Sequence, residues 1–313
     1  AKACDVAASL LIGRERARRQ SSTSARWTWD DVSDRTWIGP DFWTNRLQDW
    51  RVRAGRVECI ERRPNLSQRT CHLLPWSIVC PADPPSEHTR GFDRIGTGCR
   101  VSVDTGAMDV DGRPDSNAWS GLLLGAGGGH VDHRLTAQVH HVPAEDGGLL
   151  CLVDEYGRVS IRRNDRPLAS QSSWAITRRI GAEQLPEMEG VVRRDAPPVP
   201  ERPFDGWLEV DVTLSGRTTC TVTVRSARLP HTVLDEAVVE GVDRSLVDGS
   251  IALVSHRGAE GGAGGHWFDD LRIEGDIIAN DPARAWGPVL MVQYTISDGV
   301  LHMTAQLPPL GPG

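Results

Sequence analysis

Apolar and polar side chains alternate along residues 266–275 in the pattern of a half-buried β-strand. The apolar face would hold Trp267, Leu271 and Ile273, and the polar face would hold Asp270, Arg272 and Glu274. Asp269 interrupts this pattern, because its position places a carboxylate on the apolar face. Such a group is costly unless it is paired, hydrogen-bonded or metal-bound. The sequence therefore predicts a buried, partnered Asp269, and a structural calcium ion is one candidate partner.

Short alternating runs of this kind, broken by Gly, Pro, Asp and Asn, continue from Trp27 onward, and no long segment repeats with the period of a helix. Two strands are predicted within residues 42–60, joined by an Arg-Ala-Gly turn. Further strands are predicted at 70–76, 99–104, 120–124, 133–140, 148–153, 158–163, 207–214, 218–225, 250–255 and 266–274. Their number and spacing favour an all-β, two-sheet sandwich over any βαβ fold.

The hairpin at residues 207–225 has the clearest pattern of all. Its first strand alternates Leu208, Val210 and Val212 with Trp207, Glu209 and Asp211. One face of this strand therefore belongs to the core, and the other carries two carboxylates beside a tryptophan. A retaining glycosidase on a sandwich fold needs two carboxylates about 5–5.5 Å apart. Glu209 and Asp211 are candidates for that alternative, although the third acid of a Glu-x-Asp-x-x-Glu pattern is absent.

The two ends of the chain differ in composition from this region. Residues 1–25 combine a short apolar run, an arginine-rich run and a Ser/Thr run, and we expect them to be poorly ordered. Residues 26–275 would form the sandwich. Residues 276–313 contain a predicted hairpin around Ser297-Asp298-Gly299, and an isolated hairpin is marginally stable in water. We interpret residues 276–313 as a linker and the first hairpin of a truncated, Ig-like second domain.

Charge and cysteine spacing narrow the classes of function. The net charge of −7 and the lack of a clustered basic face argue against a nucleic-acid partner. No apolar run approaches the roughly 20 residues that a membrane helix needs. The seven cysteines form no CxxC pair, which argues against a structural zinc site. Cys151 and Cys220 occupy apolar strand positions, where a free cysteine behaves as a small hydrophobe.

Four blocks of residues, at 43–59, 139–158, 267–270 and 287–311, carry a resemblance to a known family. The most specific block contains Gly287-Pro288-Val289-Leu290, Tyr294-Thr295, Gly299-Val300-Leu301, Met303-Thr304-Ala305-Gln306 and Pro308-Pro309-Leu310-Gly311. With these blocks, residues 36–311 resemble the N-terminal half of bacterial alkaline phosphatase D-like proteins.

This resemblance implies a concanavalin A-like (LamG) jelly roll, followed by a small sandwich and then a metallophosphatase domain, in a periplasmic or extracellular alkaline phosphatase or phosphodiesterase. The chain lacks the ordered Asp-x-His and Gly-Asp motifs of a two-metal phosphatase site. We therefore expect a non-catalytic module without phosphatase activity, which binds a glycan or packs against the phosphatase domain of its parent protein. The alternatives are a sandwich glycoside hydrolase or keto-disaccharide hydrolase, and a purely structural domain.

The predicted strand at 133–140 carries the candidate ligand site. In an extended chain, Asp132, Arg134, Gln138 and His140 would share one face. Jelly rolls bind sugars on a concave sheet that presents such polar side chains. We predict that these four residues bind a glycan. His130 and His133 would point in different directions along this strand, which disfavours a metal site there.

Overall fold

The fold is described from a computed structural model, which covers most of the chain. The described residues are 23–60, 68–80, 98–108, 118–128, 131–139, 146–164, 185–194, 203–214, 217–229, 232–258, 265–287 and 289–307. Residues 1–22, nearly all of the predicted N-terminal segment, lie outside these ranges.

Two antiparallel sheets form the body of the molecule. The larger, nine-stranded sheet contains β1 (Thr23–Trp27), β3 (Trp50–Arg53), β4 (Arg56–Cys59), β6 (Gly98–Ala107), β10 (Val192–Arg193), β11 (Asp205–Thr213), β12 (Thr219–Ser226), β13 (Val233–Glu240) and β15 (His266–Gly275). The smaller, seven-stranded sheet contains β2 (Phe42–Thr44), β5 (Arg69–Ile78), β7 (Trp119–Ala126), β8 (Leu149–Asp154), β9 (Val159–Arg163), β14 (Gly249–His256) and β16 (Ile278–Asn280). This arrangement confirms the predicted all-β sandwich.

The order of strands explains how distant parts of the sequence meet. In the larger sheet the order is β10-β13-β12-β11-β6-β15-β4-β3, and β1 also pairs with β15. In the smaller sheet it is β16-β5-β14-β7-β8-β9, and β2 also pairs with β5. Strand β15 therefore lies between the hairpin of β3 and β4 and the run from β6 to β13. The side chains that point inward from both sheets form one continuous apolar core.

The predicted hairpins are confirmed, and two domain limits need correction. Strands β11 and β12 pair from Gly206 with Ser226 to Thr213 with Thr219. Strand β1 begins at Thr23 and pairs with β15, so the sandwich starts before residue 26. Strand β16 pairs with β5, so the sandwich continues past residue 275 to Asn280. The sequence pattern missed β1 and β16, and it also missed β10 and the eight-residue β13.

The prediction of a strand at 133–140 is wrong. Residues His133–Val139 form a helix, α1, and Asp132 caps its beginning by accepting a hydrogen bond from the Arg134 N–H at 2.9 Å. The Asp132 carbonyl also accepts from the Thr136 N–H at 3.0 Å, which is the first helical bond. The inward side of α1 is formed by Thr136 and Ala137, both of them buried. In so short a segment, alternation does not distinguish a strand from two turns of helix.

A second apolar cluster covers the outer face of the smaller sheet. It consists of Trp119, Leu123, Ala126, Leu150, Leu152, Leu185, Ala252 and Val254, all of them buried. The outer face of the larger sheet is different, because charged side chains such as Arg100, Arg272 and Glu274 are exposed on it. The polar face of the larger sheet is therefore the more accessible of the two.

The C-terminal hairpin forms a third, two-stranded sheet. Strands β17 (Met291–Ser297) and β18 (Val300–Gln306) pair around Asp298 and Gly299, which both have positive φ as a tight hairpin turn requires. Trp286 anchors the preceding linker, because its Nε1–H donates to the Phe42 carbonyl at 2.7 Å and its ring lies 4.5 Å from that of Trp43. The predicted hairpin is confirmed, whereas its assignment to a second domain stays a prediction.

A buried histidine makes the stability of the sandwich depend on pH. His266 lies in the core, 2.9 Å from the Ser255 hydroxyl, and burial together with the nearby His256 lowers the pKa of His266 to about 3. In an unfolded chain a histidine titrates near 6.5. Between about pH 6.5 and 3 the unfolded state therefore binds a proton that the folded state does not.

We predict that the free energy of unfolding decreases as the pH is lowered from about 6.5 to about 3. His266 should contribute up to about 1.4 kcal/mol per pH unit to this decrease. His266→Gln keeps a hydrogen-bonding group and should flatten the dependence, as measured by urea denaturation at a series of pH values. His302→Gln, on the exposed C-terminal hairpin, serves as the control. If the wild-type dependence persisted in the His266 variant, another group would be responsible.

Candidate functional site

The polar outer face of the larger sheet is the candidate site. Pairing between β15, β6 and β11 aligns Arg272, Ser102 and Glu209 in one row across the sheet. The same pairing aligns Glu274, Arg100 and Asp211 in the next row. Each strand contributes every second residue to this face, while the residues between them enter the core. Side chains from three separate parts of the sequence are thereby brought together.

Arg100 lies at the centre of this face and holds two carboxylates. Its Nε–H donates to Asp211 at 2.8 Å, and it lies 3.7 Å from Glu209. The hydrogen bond with Asp211 raises the pKa of Arg100 despite partial burial. On the far side, Arg225 of β12 lies 3.8 Å from Glu209. Glu209 and Asp211 therefore lie within a network of guanidinium groups.

A second group of charges surrounds Asp270 on β15. Arg26 and Arg272 each approach its carboxylate at 2.5 Å. Burial alone would raise the pKa of Asp270, but the hydrogen bonds from Arg272 and Arg26 outweigh burial and lower it. The guanidinium of Arg272 also lies over the indole of Trp207, 5.0 Å from the ring centroid, in a cation–π contact. Asp270 thus fixes the arginine that covers Trp207.

These two groups border a cleft of about 470 Å³. Its lining consists of Ser24, Ala25, Arg26, Arg100, Ser102, Trp207, Glu209, Arg272, Ile273 and Glu274. The cleft combines one aromatic ring with hydroxyl, carboxylate and guanidinium groups, which donate and accept hydrogen bonds. Its volume lies in the range of small-molecule sites.

Beside the cleft, carboxylates of β6 and β15 lie close to one another. Asp104 is paired in register with Asp269 on one side and with Trp207 on the other. Burial, together with Asp270 and Asp269, raises the pKa of Asp104 to about 6. Asp104 is therefore a carboxyl of this face that changes its charge in mildly acidic solution.

The predicted ligand residues do not share a sheet face. Asp132 and Arg134 lie at the start of α1 and bind each other at 3.0 Å, and the hydrogen bonds from Arg134 lower the pKa of Asp132. Gln138 lies near the end of α1. His140 lies outside the described residues, as does His130. The prediction that these residues bind a glycan was based on an extended strand, which the structure does not contain at this position. Their role in glycan binding stays a prediction.

The expectations for β15 need correction as well. A bulge between Asp269 and Arg272 shifts the register, with Asp270 at a φ of +47°. Phe268 rather than Trp267 therefore enters the core. Asp269 is half-buried instead of buried. Its Oδ1 atom is shielded from solvent and accepts no hydrogen bond. Burial raises the pKa of Asp269, even though hydrogen bonds from the Asp270 and Trp29 N–H groups favour its charged form.

The surroundings of Asp269 do not fit a calcium ion. Calcium takes six to eight oxygen ligands. Asp270 is already bound by two arginines, which leaves Asp104, paired in register, and Asp30 as the neighbouring carboxylates. Within the described ranges no group of three or more His, Cys, Asp or Glu side chains is arranged to hold a metal ion. The acidic loop at 109–117 lies outside those ranges.

Sequence reasoning found part of the cleft and missed the rest. The alternation along β11 singled out Trp207, Glu209 and Asp211, but only as weak candidates for a glycosidase. Arg26, Arg100 and Arg272 gave no local signal, because arginines on an exposed strand face are common. Their convergence depends on strand order, which pairs β6 with β11 and β15 across more than a hundred residues of sequence.

Comparison with known proteins adds little at the level of sequence. No protein-family model matches the chain, and no curated protein matches it. None of the helices in the described residues has the length and hydrophobicity needed to cross a membrane.

Solved structures of lectins resemble the chain over most of its length. Peanut lectin is 12% identical with a TM-score of 0.44, and the match covers 80% of this chain and 97% of the lectin. Lectin II from Ulex europaeus is 10% identical with a TM-score of 0.44, and the match covers 80% of this chain and 98% of the lectin. The exoplasmic/lumenal domain of VIP36, in a form bound to Ca²⁺ and Man3GlcNAc, is 10% identical with a TM-score of 0.42 over 75% of this chain and 82% of that domain. At these values the likeness carries no statement about a ligand of this chain.

The raised pKa of Asp104 gives a measurable pH dependence. Between about pH 4 and 6 the folded state retains a proton that the unfolded state has released, so the free energy of unfolding falls as pH rises through this window. We predict that Asp104→Asn removes this loss and raises the free energy of unfolding at pH 7 by about 1 kcal/mol, allowing for solvent screening. Near pH 4 the variant and the wild type should agree.

Urea denaturation at pH 4 and pH 7 measures both effects. Asp211→Asn is the matched control, since it removes a carboxylate that is paired with Arg100 and should not stabilise the fold. A destabilised Asp104 variant at pH 7 would show that the charged form of Asp104 is favourable in the folded state.

Proposed function

We propose that the chain is a non-catalytic β-sandwich module that binds a glycan in the cleft on the larger sheet. The observation that carries this proposal is the position of Trp207, whose indole lies at the cleft among hydroxyl, carboxylate and guanidinium groups. A sugar ring presents an apolar face that stacks on an indole and hydroxyl groups that donate and accept hydrogen bonds. The cleft offers partners for both kinds of contact.

The charge balance favours an uncharged glycan. Arg26 and Arg272 share the carboxylate of Asp270, and Arg100 is paired with Asp211 and Glu209. An anionic ligand would have to compete with these carboxylates for the same guanidinium groups. Hydroxyl groups instead accept from the remaining N–H groups and donate to the carboxylates without breaking the ion pairs.

The same contacts disfavour hydrolysis by Glu209 and Asp211. A glycosidase needs both carboxylates at the bond that is cleaved, whereas ion pairs hold these two carboxylates against a guanidinium group. Both carboxylates approach Arg100. A sandwich glycoside hydrolase is therefore supported less well than a binding module.

We also propose that the module belongs to a protein similar to phosphatase D. This proposal is based on the resemblance of residues 36–311. The C-terminal hairpin supports a role in domain packing, because one of its faces is wholly apolar and exposed. This apolar hairpin face consists of Val292, Tyr294, Ile296, Leu301, Met303 and Ala305. A two-stranded sheet is marginally stable by itself, so further strands of an Ig-like domain would cover this face.

Substitution of Trp207 tests glycan binding. We predict that Trp207→Ala lowers the affinity for a bound glycan at least about tenfold, because stacking of the sugar ring on the indole is lost, whereas Trp207→Phe retains a measurable part of that affinity. The ligand is first found on a glycan array, with calcium and with a chelator, and its affinity is then measured by calorimetry. Calcium should make no difference to binding in the cleft.

Tyr156→Ala is the matched aromatic control, since Tyr156 lies at the turn after β8 with Arg158 over its ring. Binding unaffected by both Trp207 variants would place the ligand elsewhere. An array without any bound glycan would favour the purely structural alternative.

The exposed hairpin gives a separate prediction. Ile296 and Leu301 are 70% and 55% exposed. The double variant Ile296→Ser/Leu301→Ser should therefore leave the thermal midpoint of the sandwich within about 1 °C of wild type, as measured by calorimetry, since no buried contact is lost. The matched control is Ile273→Ser in β15, which removes a fully buried side chain and should lower the midpoint strongly. A large loss in the hairpin variant would mean that this face packs against the sandwich.

A further inference from the structure

Two cysteines face each other across the core from different sheets. Cys151 lies on β8 of the smaller sheet and Cys220 on β12 of the larger sheet. Their Sγ atoms are 4.0 Å apart, and both side chains are fully buried. Each strand is paired on both sides, β8 with β7 and β9, and β12 with β11 and β13. The two thiols therefore lie in contact where the inner faces of the two sheets meet.

We propose that Cys151 and Cys220 form a disulfide that links the two sheets when the chain folds under oxidising conditions. A disulfide requires an S–S separation of about 2.05 Å, so the sulfurs must approach by about 2 Å through side-chain rotation and a small shift of the strands. No other side chain has to leave the space between them, because the sulfurs already lie in contact.

The timing of the reaction follows from burial. A small-molecule disulfide cannot reach either sulfur in the closed sandwich. The hydrogen bond with Cys220 and burial raise the pKa of the Cys151 thiol, which keeps that thiol unreactive. The bond therefore forms while the sheets come together. After closure the same burial protects it from reducing agents.

The chemistry is thiol–disulfide exchange with a low-molecular-weight disulfide such as oxidised glutathione. The thiolate of one cysteine attacks this disulfide, forms a mixed disulfide and releases one glutathione thiolate. The thiolate of the second cysteine attacks the protein sulfur of the mixed disulfide, forms the Cys151–Cys220 bond and releases the second glutathione. The two protons of the protein thiols end on the two glutathione molecules, so the protein is oxidised by two electrons and the glutathione disulfide is reduced by two.

The effect on stability follows from the closed loop, because the two cysteines are 69 residues apart in sequence. A cross-link over such a loop lowers the entropy of the unfolded chain. For a chain of this size we expect the thermal midpoint to rise by roughly 5–10 °C relative to the reduced protein.

The test refolds the full chain from denaturant with a mixture of oxidised and reduced glutathione, and in parallel with dithiothreitol. Remaining thiols are alkylated under denaturing conditions, and digestion followed by mass spectrometry identifies linked peptides. We expect the peptides that contain Cys151 and Cys220 to be linked in the glutathione sample alone, with the higher thermal midpoint. Absence of this link would overturn the proposal, and so would a dominant link between Cys220 and Cys99.

Variants separate this bond from other effects of oxidation. Cys59→Ala should retain both the link and the shift in midpoint, since Cys59 lies on β4 and takes no part in the bond. Cys151→Ala/Cys220→Ala should lose the difference between the two refolding conditions. The peptide map of the unsubstituted chain decides the matter even if this double variant fails to fold.

Discussion

The bulge in β15 is the constraint on which the polar face and the core both depend. Phe268 and Leu271 are three positions apart, so a regular strand would place them on opposite faces. The extra residue at the bulge allows both to enter the core, and Asp270 takes up the left-handed conformation that this requires. The carboxylate of Asp270 then points outward to Arg26 and Arg272. One local irregularity thus satisfies the apolar contacts inside and places the arginine that covers Trp207 outside.

The sequence was sufficient for the fold class and for the regular hairpins. Alternation along β11 and β12 is strict, so the inward and outward residues of that pair were predicted correctly. Alternation misled in two places where local hydrogen bonding overrides it. At β15 the bulge changes the parity, and at α1 the Asp132 side chain caps a helix within a segment that also alternates. Neither a bulge nor a short capped helix is visible in the period of the apolar residues.

The candidate site could not be predicted as a whole, because it is a property of strand order. Glu209 and Asp211 were visible as outward residues of one strand, but their partner Arg100 lies more than a hundred residues earlier and becomes a neighbour only when β6 pairs with β11. The same pairing brings Asp104 beside Trp207, where burial and three other carboxylates raise the pKa of Asp104. The sequence indicates which residues of each strand point outward, and the pairing of the strands determines which of these residues become neighbours.

Hydroxyl-radical footprinting of the complex tests whether a glycan binds over Trp207. The oxidation rates of the tryptophan side chains are compared with and without a saturating glycan identified on the array, with Trp267 on the same sheet face as an internal reference. We expect Trp207 to become protected, together with peptides that contain Arg26 and Arg272, while Trp267 is oxidised as before. Protection confined to the start of α1, around Asp132 and Arg134, with Trp207 unchanged, would contradict it.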